Sequence, residues 1–597
     1  MKTYGYTKVD LTGGYLFEKQ ELNRAVTINA VYDRFDETGR IGAFRFDWDG
    51  SEDKKPHIYW DSDVAKWMEG AAYILKKHDD PDLARKVNDI ITLIKKNQCD
   101  DGYFNIHFTV VDPASRFKNR DWHELYCAGH LMEAAVAVAE STGNTDLLDC
   151  MEKYADYIHK VFVEEKSAAF ATPGHEEIEL ALMRMYHFTG KKKFLDLCAH
   201  FINTRGTVDE QRKFSYNQSH VPVREQDEAL GHSVRACYLY TGMAALANET
   251  GDEALKAACR RLYDDMANCK MYVTGGLGST HMGEAFTARY DLPNDTAYAE
   301  TCASIAMIFF AHQMLQMDGD AKYADMIELQ LYNGMLSGLS AGGDAFFYEN
   351  PLEINLNERY DAGSYGARRF PITERVKVFR CSCCPPNLNR VLPSLGQYVY
   401  GTCGDTLFVN QYVGSTLSDG DITCEMVTDY PRTGVISVKA AGTAKVALRI
   451  PAWCRNFTLN KPYTMEKGYA VVENDGEIIL TLDMTPCAVF ADPRVSRDAG
   501  KLAVRRGPVV YCAEGKDNDG VLQSYLVKPG FKATEVPCEF GLPALDIPCR
   551  KLLPFAAGLY SAEAPASEDA VLRMIPYNAF ANRGENDMLV WLTAALG

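Results

Sequence analysis

Up to about residue 400 the chain repeats one unit: an apolar segment with helical period, a short turn built on Gly or Asp, then a second helical segment. The turns are Asp79-Asp80-Pro81, Thr142-Gly143-Asn144, Thr189-Gly190-Lys191, Thr250-Gly251-Asp252 and Asp318-Gly319-Asp320. Glycine at such a place suits a left-handed helix C-terminus, and the neighbouring polar residue can cap the next helix. The glycines at 143, 190, 251 and 319 are spaced too widely and irregularly for a two-helix solenoid repeat. They suit helical hairpins joined by longer loops. Counting from Phe17–Tyr32, the periodicity predicts about eleven or twelve helices. Twelve close as six hairpins into an (α/α)6 toroid; an open solenoid is the alternative. In a toroid the long loops gather at one end, where a substrate site would form.

Beyond about residue 400 the pattern changes to short β-rich segments separated by Gly, Asp, Asn and Pro. They are Thr406–Val413, Ile422–Val427, Val435–Ala440, Ala444–Ile450, Ala470–Val472, Ile478–Leu482 and Leu502–Cys512. This predicts an antiparallel β-sandwich. The expected division is a barrel over 1–400, a β-sandwich over 401–515, and a completion of the sandwich or a small third β domain over 516–597, with a strand at Met588–Leu592.

Bulk properties exclude several function classes. A net charge of −18 argues against nucleic acid or an anionic membrane as partner. No run of about twenty apolar residues exists to span a membrane. The segment Met1 to Asp10 has no apolar signal core, and most of the 18 cysteines stand singly, several in apolar helical contexts such as Cys127, Cys198, Cys237 and Cys259. A cytoplasmic protein is therefore expected.

The most reactive stretch is Cys381-Ser382-Cys383-Cys384-Pro385-Pro386-Asn387. Adjacent cysteines form a disulfide only under strain, but they can share a soft metal ion. The two prolines predict that helix begins only after Pro386. A second Cys-x-x-Cys pair is absent, which counts against a zinc ribbon. Glu300 and Cys302, at the entry to a helix expected over Ala303–Met317, can complete a tetrahedral site with Cys383 and Cys384. The alternative is a core cysteine and a first-turn acid favoured by the helix dipole.

Gly275 to Glu284 is glycine-rich but lacks the Lys-Ser/Thr ending of a phosphate loop. It reads better as a flexible loop that carries Glu284 to a pocket. His123 and His130 lie close together, and His175 and His232 each stand at an expected helix start after Gly. With Tyr348 they suit a polar cavity that binds hydroxyls.

These pieces together resemble glycoside hydrolase family 127, the β-L-arabinofuranosidases. The resemblance rests on Gly283-Glu284-Ala285-Phe286, Glu300-x-Cys302 and the cysteine heptapeptide. It extends over His123 to Glu133, Leu448 to Trp453, Arg506 to Tyr511 and Ala581 to Glu585, nearly the whole chain. It implies an (α/α)6 barrel followed by β-sandwich modules. It implies Zn2+ held by Glu300, Cys302, Cys383 and Cys384, Cys383 as nucleophile and Glu284 as general acid/base. It implies His130, His175, His232 and Tyr348 as sugar contacts, with an N-terminal polar contact nearest Arg40 to Phe46.

The expected reaction is retaining exo-cleavage of L-arabinofuranose, or a related furanose, from β-linked small oligosaccharides or aryl or peptidyl glycosides. A Glu that serves first as acid and then as base is expected to hold a pKa near the working pH. A homodimer is compatible with this reading. The competing readings are a carbohydrate-binding protein with structural zinc, a glycosidase of other sugar specificity, and a thiol-redox protein or zinc hydrolase using metal-bound water.

Overall fold

The computed structural model of the protein describes residues 1–359 and 369–595. Its helices are α1 (Tyr15–Leu22), α2 (Ile28–Glu37), α3 (Trp60–Lys77), α4 (Pro81–Asn97), α5 (Ile106–Val110), α6 (Glu124–Thr142) and α7 (Asp146–His159). They continue as α8 (Ile178–Thr189), α9 (Lys192–Thr204), α10 (Ser233–Thr250), α11 (Glu253–Cys269), α12 (Thr301–Asp318), α13 (Ala321–Leu329) and α14 (Cys384–Val391).

Two kinds of helix alternate. Every residue of α6 from Glu124 to Ala139, and of α10 from Ser233 to Ala247, is buried. A helix buried all round belongs to an inner layer. By contrast α4 buries only the stripe Leu83, Val87, Ile90, Ile91 and Ile94. The inner helices pack in sequence, α3 on α6, α6 on α8, α8 on α10, α10 on α12 and α12 on α14, and α14 packs back on α3. The ring is closed, so the open solenoid is excluded. With α2, α4, α7, α9, α11 and α13 outside, it is the expected (α/α)6 toroid.

The predicted turns close it. Gly143, Gly190, Gly251 and Gly319 terminate α6, α8, α10 and α12 in the left-handed region, with φ between 62° and 78°. Asp80, Asp252 and Asp320 accept backbone N–H bonds at the starts of α4, α11 and α13. These tight turns lie at one end. The long connections, such as 205–232, 270–300, 339–359 and 369–383, lie at the other, over the N-termini of the inner helices.

One close contact sets the position of α14. A Cβ on Gly70 of α3 would lie 2.4 Å from the Asn389 carbonyl oxygen on α14. Gly70→Ala is therefore expected to push α14 outward and cost about 1–3 kcal/mol. Thermal unfolding would show a Tm lowered by some degrees. An unchanged Tm would mean that α14 yields freely.

The β region forms three sheets. Two have six strands, and both recruit the start of the chain: Lys2–Thr3 pairs with Tyr400–Cys403, and Val9–Gly13 pairs with Gly414–Asp419. The third is ten-stranded, runs from Cys487–Val489 to Leu592–Ala594, and takes Glu353–Ile354 from a barrel loop. The boundary expected at 515/516 falls inside this sheet, because Val509–Glu514 pairs with Ser567–Pro576. Strand patterning reports which face is apolar, not which sheet a strand joins. Pairing is antiparallel except for Thr406–Val409 with Lys445–Arg449, and Tyr525–Val527 with Leu592–Ala594.

The ten-stranded sheet supports the long-loop end of the barrel. A separate apolar cluster joins Tyr272, Leu292, Ala299 and Phe347 from barrel loops to Val510, Ile575, Phe580 and Trp591. Asn294 donates to Asp498 at 2.6 Å, and the Val590 amide donates to the Leu352 carbonyl at 3.0 Å. The C-terminal sheet therefore braces the loops on either side of α12.

Candidate active site

A cavity of about 240 Å³ opens at the long-loop end. Its wall includes Ser62 and Asp63 of α3, Tyr126 of α6, Arg235 of α10 and Cys302 of α12. Tyr59, His123, His175, Tyr216, His232, Glu284, Glu300, Tyr348, Cys381 and Cys383 complete it from the loops and helix ends. A second cavity of about 220 Å³ lies at the opposite end, lined by Glu69, Glu133, Arg184 and Arg390 among others, and holds no cysteine.

Cys383 is the N-cap of α14, and helix begins at Cys384, three residues earlier than the prolines suggested. Pro385 and Pro386 sit in the first turn, where a missing N–H costs nothing. The thiols of Cys383 and Cys384 therefore stand at the N-terminal end of α14. Glu300 is the N-cap of α12 in an extended conformation, φ −61° and ψ 136°, and Cys302 is the second helical residue. The change of backbone direction between them lets an i, i+2 pair face one point. Tyr348 is fixed beside them: the Thr301 amide donates to its carbonyl at 3.0 Å, while Asn350 donates to the Ala299 carbonyl at 2.9 Å and the Thr301 hydroxyl at 3.0 Å.

One ligand atom each from Glu300, Cys302, Cys383 and Cys384 lies within 4.8 Å of the others. Cys302 Sγ is 3.3 Å from Cys384 Sγ, Cys383 Sγ is 3.7 Å from Cys384 Sγ, and Glu300 Oε1 lies 3.5 and 3.8 Å from the sulfurs of Cys383 and Cys384. Cys381 points to Tyr348, at 3.8 Å from its hydroxyl, and stands apart from the four.

Four groups that ionise as anions, packed this closely away from water, are unstable without positive charge. Burial, then the Cys383 charge, pushes the Glu300 carboxyl well above its usual range. Burial, with the hydrogen bonds to Cys302 and Cys383, does the same to Cys384. Burial also opposes ionisation of Cys302, but its bonds from Cys383 and Cys384 outweigh this and bring it down to about 6. Glu300 Oε2 is buried without a hydrogen-bond partner. A three-sulfur, one-carboxylate donor set with an orphaned oxygen fits a divalent, sulfur-tolerant ion.

Glu284 occupies the left-handed region, φ 55°, after Gly283 at φ 71°. That conformation costs a non-glycine residue about 1 kcal/mol or more. It is held by paired backbone bonds between Thr280 and Ala285, and by the Ser233 amide donating to the Glu284 carbonyl at 3.0 Å. The carboxylate receives Tyr298 Oη at 2.6 Å and Tyr348 Oη at 3.3 Å on Oε1, and His232 Nε2 stands 2.5 Å from Oε2. The Val234 amide donates to His232 Nδ1 at 3.2 Å, so in the neutral ring Nε2 carries the proton and donates to Glu284. Burial raises the Glu284 pKa, but the His232 bond and charge, the Tyr298 bond and the Arg235 charge outweigh it and hold the carboxyl down at about 2. This differs from the near-neutral value expected of an acid/base. Tyr348 links Glu284 and Cys383, since the Cys383 thiol also reaches its hydroxyl oxygen at 3.2 Å.

His123, His175 and His232 form a row, with ring centroids 5.5 and 5.4 Å apart. Burial, followed by the Arg235 charge, lowers the pKa of His123 to about 3 and that of His175 well below its usual value. Burial thus favours the neutral form of both rings. His130, expected among the contacts, does not line the cavity. It is fully buried behind Tyr126, with Nδ1 3.0 Å from Glu177. His123 and His130 are seven residues apart, two turns or about 10 Å along a helix, and only the first reaches the rim. Arg40 also stays off the wall: it donates to Asp63 at 2.9 Å and to the Arg380 carbonyl at 2.8 Å. His130, Glu133 and Glu177 form another close group, in which Arg390 bonds Glu133, while burial and the Glu133 charge push the Glu177 carboxyl well above its usual range against the Arg390 and Lys66 charges.

Comparison with known proteins agrees with this geometry. The family model for the GH127 β-L-arabinofuranosidase catalytic domain matches residues 8–397, and that for the family 127 C-terminal domain matches residues 486–593. A non-reducing end β-L-arabinofuranosidase of Bifidobacterium longum subsp. longum is 37% identical over 589 residues, covering 89% of each chain. The structure of a GH127 β-L-arabinofuranosidase from Geobacillus stearothermophilus T6 superposes with a TM-score of 0.92 at 38% identity, covering 98% of this chain and all of that one. A second solved GH127 β-arabinofuranosidase gives a TM-score of 0.90 at 34% identity, over 100% of this chain and 98% of that one. The helical toroid with its cysteine-lined cavity is that of a glycoside hydrolase. The chain belongs to glycoside hydrolase family 127, whose family-level activity is that of a β-L-arabinofuranosidase.

Proposed function

We propose that the protein is a retaining exo-glycosidase that removes L-arabinofuranose from β-linked oligosaccharides or small glycosides, with Cys383 as nucleophile and Glu284 as acid/base. The observation that carries this reading is the position of Tyr348, in reach of both Cys383 Sγ and Glu284 Oε1 on one cavity wall. Zn2+ is the proposed ion, held by Glu300, Cys302, Cys383 and Cys384, where its charge would keep the sulfurs as thiolates at neutral pH.

Cys383 Sγ attacks the anomeric carbon as the glycosidic C–O bond breaks, and Glu284 passes a proton to the leaving oxygen. The resting Glu284 is a carboxylate. A leaving-group oxygen that displaces the His232 or Tyr298 bond removes what holds its pKa down, so protonation belongs to the sugar complex. In the second half Glu284 takes a proton from water, the water oxygen attacks the anomeric carbon, and the C–S bond breaks. Two inversions give net retention. His123, His175 and His232 are proposed to hold the sugar hydroxyls. The substrate enters from solvent as a small glycoside. Among the described residues no helix is long and apolar enough to cross a membrane. The unpaired cysteines suit the reducing cytoplasm proposed as its location.

A panel of aryl glycosides, with product stereochemistry followed by NMR, tests the reading. Cleavage of the β-L-arabinofuranoside with retention is expected. Glu284→Gln should lower kcat about 10²–10⁴-fold. With an activated aryl leaving group its first step survives, so a sugar adduct on Cys383 should accumulate and appear in the intact mass. Inverted product, or no adduct together with wild-type turnover, would refute the assignment.

A further inference from the structure

Tyr126 lines the sugar cavity, between His175, whose ring centroid is 4.2 Å away, and the cysteine cluster. Beneath it lies Lys66 of α3, a lysine with no solvent exposure. Lys66 Nζ donates to Tyr126 Oη at 2.8 Å. An ammonium has three donors and no acceptor, so the phenol oxygen is committed as the acceptor in this contact. The phenol O–H proton must then point away from Lys66. Tyr126 lines the cavity, and that proton is available to an acceptor there.

A second observation fixes the ring itself. Tyr126 meets His130 edge-on at 4.5 Å, and His130 is fully buried, with Nδ1 3.0 Å from a Glu177 oxygen but in no hydrogen bond with it, so packing alone holds the pair. Lys66 is buried among the charges of Asp63, Glu177 and Cys302, and its side-chain hydrogen bond goes to the Tyr126 hydroxyl. The arrangement makes sense as a device that turns an ambivalent hydroxyl into an obligate, polarised donor.

We propose that Tyr126 donates a hydrogen bond to an oxygen of the non-reducing-end sugar, and that Lys66 is the positioning residue that aims and strengthens this bond. The inference rests on the proposed furanosidase reading. The acceptor is a sugar hydroxyl, because the ring oxygen becomes electron-poor in an oxocarbenium-like transition state and a polarised donor there would oppose the reaction. The sugar hydroxyls gain no negative charge in an oxocarbenium-like transition state, so the bond holds ground state and transition state alike and the effect should fall on KM and on L-arabinose affinity more than on kcat.

The test compares zinc-loaded wild type, Tyr126→Phe, Lys66→Met and the double variant on an aryl β-L-arabinofuranoside. Metal content and thermal stability are measured alongside, and binding of free L-arabinose is followed by calorimetry. Tyr126→Phe is expected to lose about 10–100-fold in kcat/KM, mostly through KM and with weaker binding of L-arabinose, while keeping its metal. Lys66→Met should lose less, and the double variant should be no worse than Tyr126→Phe alone, because Lys66 acts through the hydroxyl. Deoxy sugars lacking the acceptor oxygen should be hydrolysed equally by wild type and Tyr126→Phe. Activity of Tyr126→Phe within twofold of wild type would overturn the proposal. So would multiplicative losses in the double variant, or loss of metal in Tyr126→Phe. If Lys66→Met fails to fold, Tyr126→Phe and the deoxy series still decide. A wild type inert to the furanoside but active on another glycoside refutes the sugar assignment, and the Tyr126 comparison is then read on that glycoside.

Discussion

Cys383→Ser is expected to reduce kcat by at least about 10⁴-fold while leaving the fold and sugar affinity largely in place. Serine is a far weaker nucleophile at neutral pH and a poorer partner for a soft metal ion. The substitution is close to isosteric, so the contact with Tyr348 can persist at shorter bond lengths. Three measurements separate the causes of lost activity. Steady-state kinetics on an aryl furanoside gives the size of the loss. Calorimetry with L-arabinose reports whether the cavity still binds. Elemental analysis reports whether the ion remains on Glu300, Cys302 and Cys384. A variant that binds sugar and metal yet does not turn over assigns the chemistry to the sulfur. Turnover at the wild-type rate would end the nucleophile assignment, and would favour attack by water.

Removal of the metal is the second large effect. Cys384 and Glu300 are pushed toward their neutral forms by burial and by their anionic neighbours. Without a dication the cluster must take up protons or spread apart. Treatment with a chelator is therefore expected to abolish activity and lower Tm. The stabilisation lost is several kcal/mol, as for other sites where thiolates bind an ion only in the folded state. Cys302, Cys383 and Cys384 should then react with a thiol reagent that barely touches them in the loaded protein. Zinc should restore activity at one equivalent per chain. Full activity after complete removal of metal would reduce the cluster to a set of ordinary buried thiols.

The cysteines and Glu284 were legible before any fold was known because their signals are local. Three cysteines in four residues, and a Glu two residues before a Cys, are unusual enough to carry meaning by spacing. His123 and His130 show the limit of that kind of signal. Seven residues apart at the start of one helix, they fall on the same face, and patterning does not say how deep the cavity reaches. The structure puts the rim at His123 and places His130 behind Tyr126. The role of Lys66 was illegible for another reason: its partner lies on a different helix, 60 residues away. The prolines after Cys384 were read as delaying the helix, whereas a first turn accepts them.

By itself the sequence determined the helix–turn grammar, the change to β structure near residue 400, and the residue types able to hold a soft ion. These follow from short-range rules: periodicity, capping, and the chemistry of neighbouring thiols. Tertiary structure alone decided which residues meet. Ring closure of α14 on α3 brings the cysteine turn to the entry of α12, 83 residues away between Glu300 and Cys383. It sends residues 2–13 into the sandwich sheets, and sets the C-terminal sheet under the loops on either side of α12. It also fixes the ionisation of Glu284, because a carboxylate's pKa is set by the groups around it, here His232, Tyr298 and Arg235, and not by its own position in the chain.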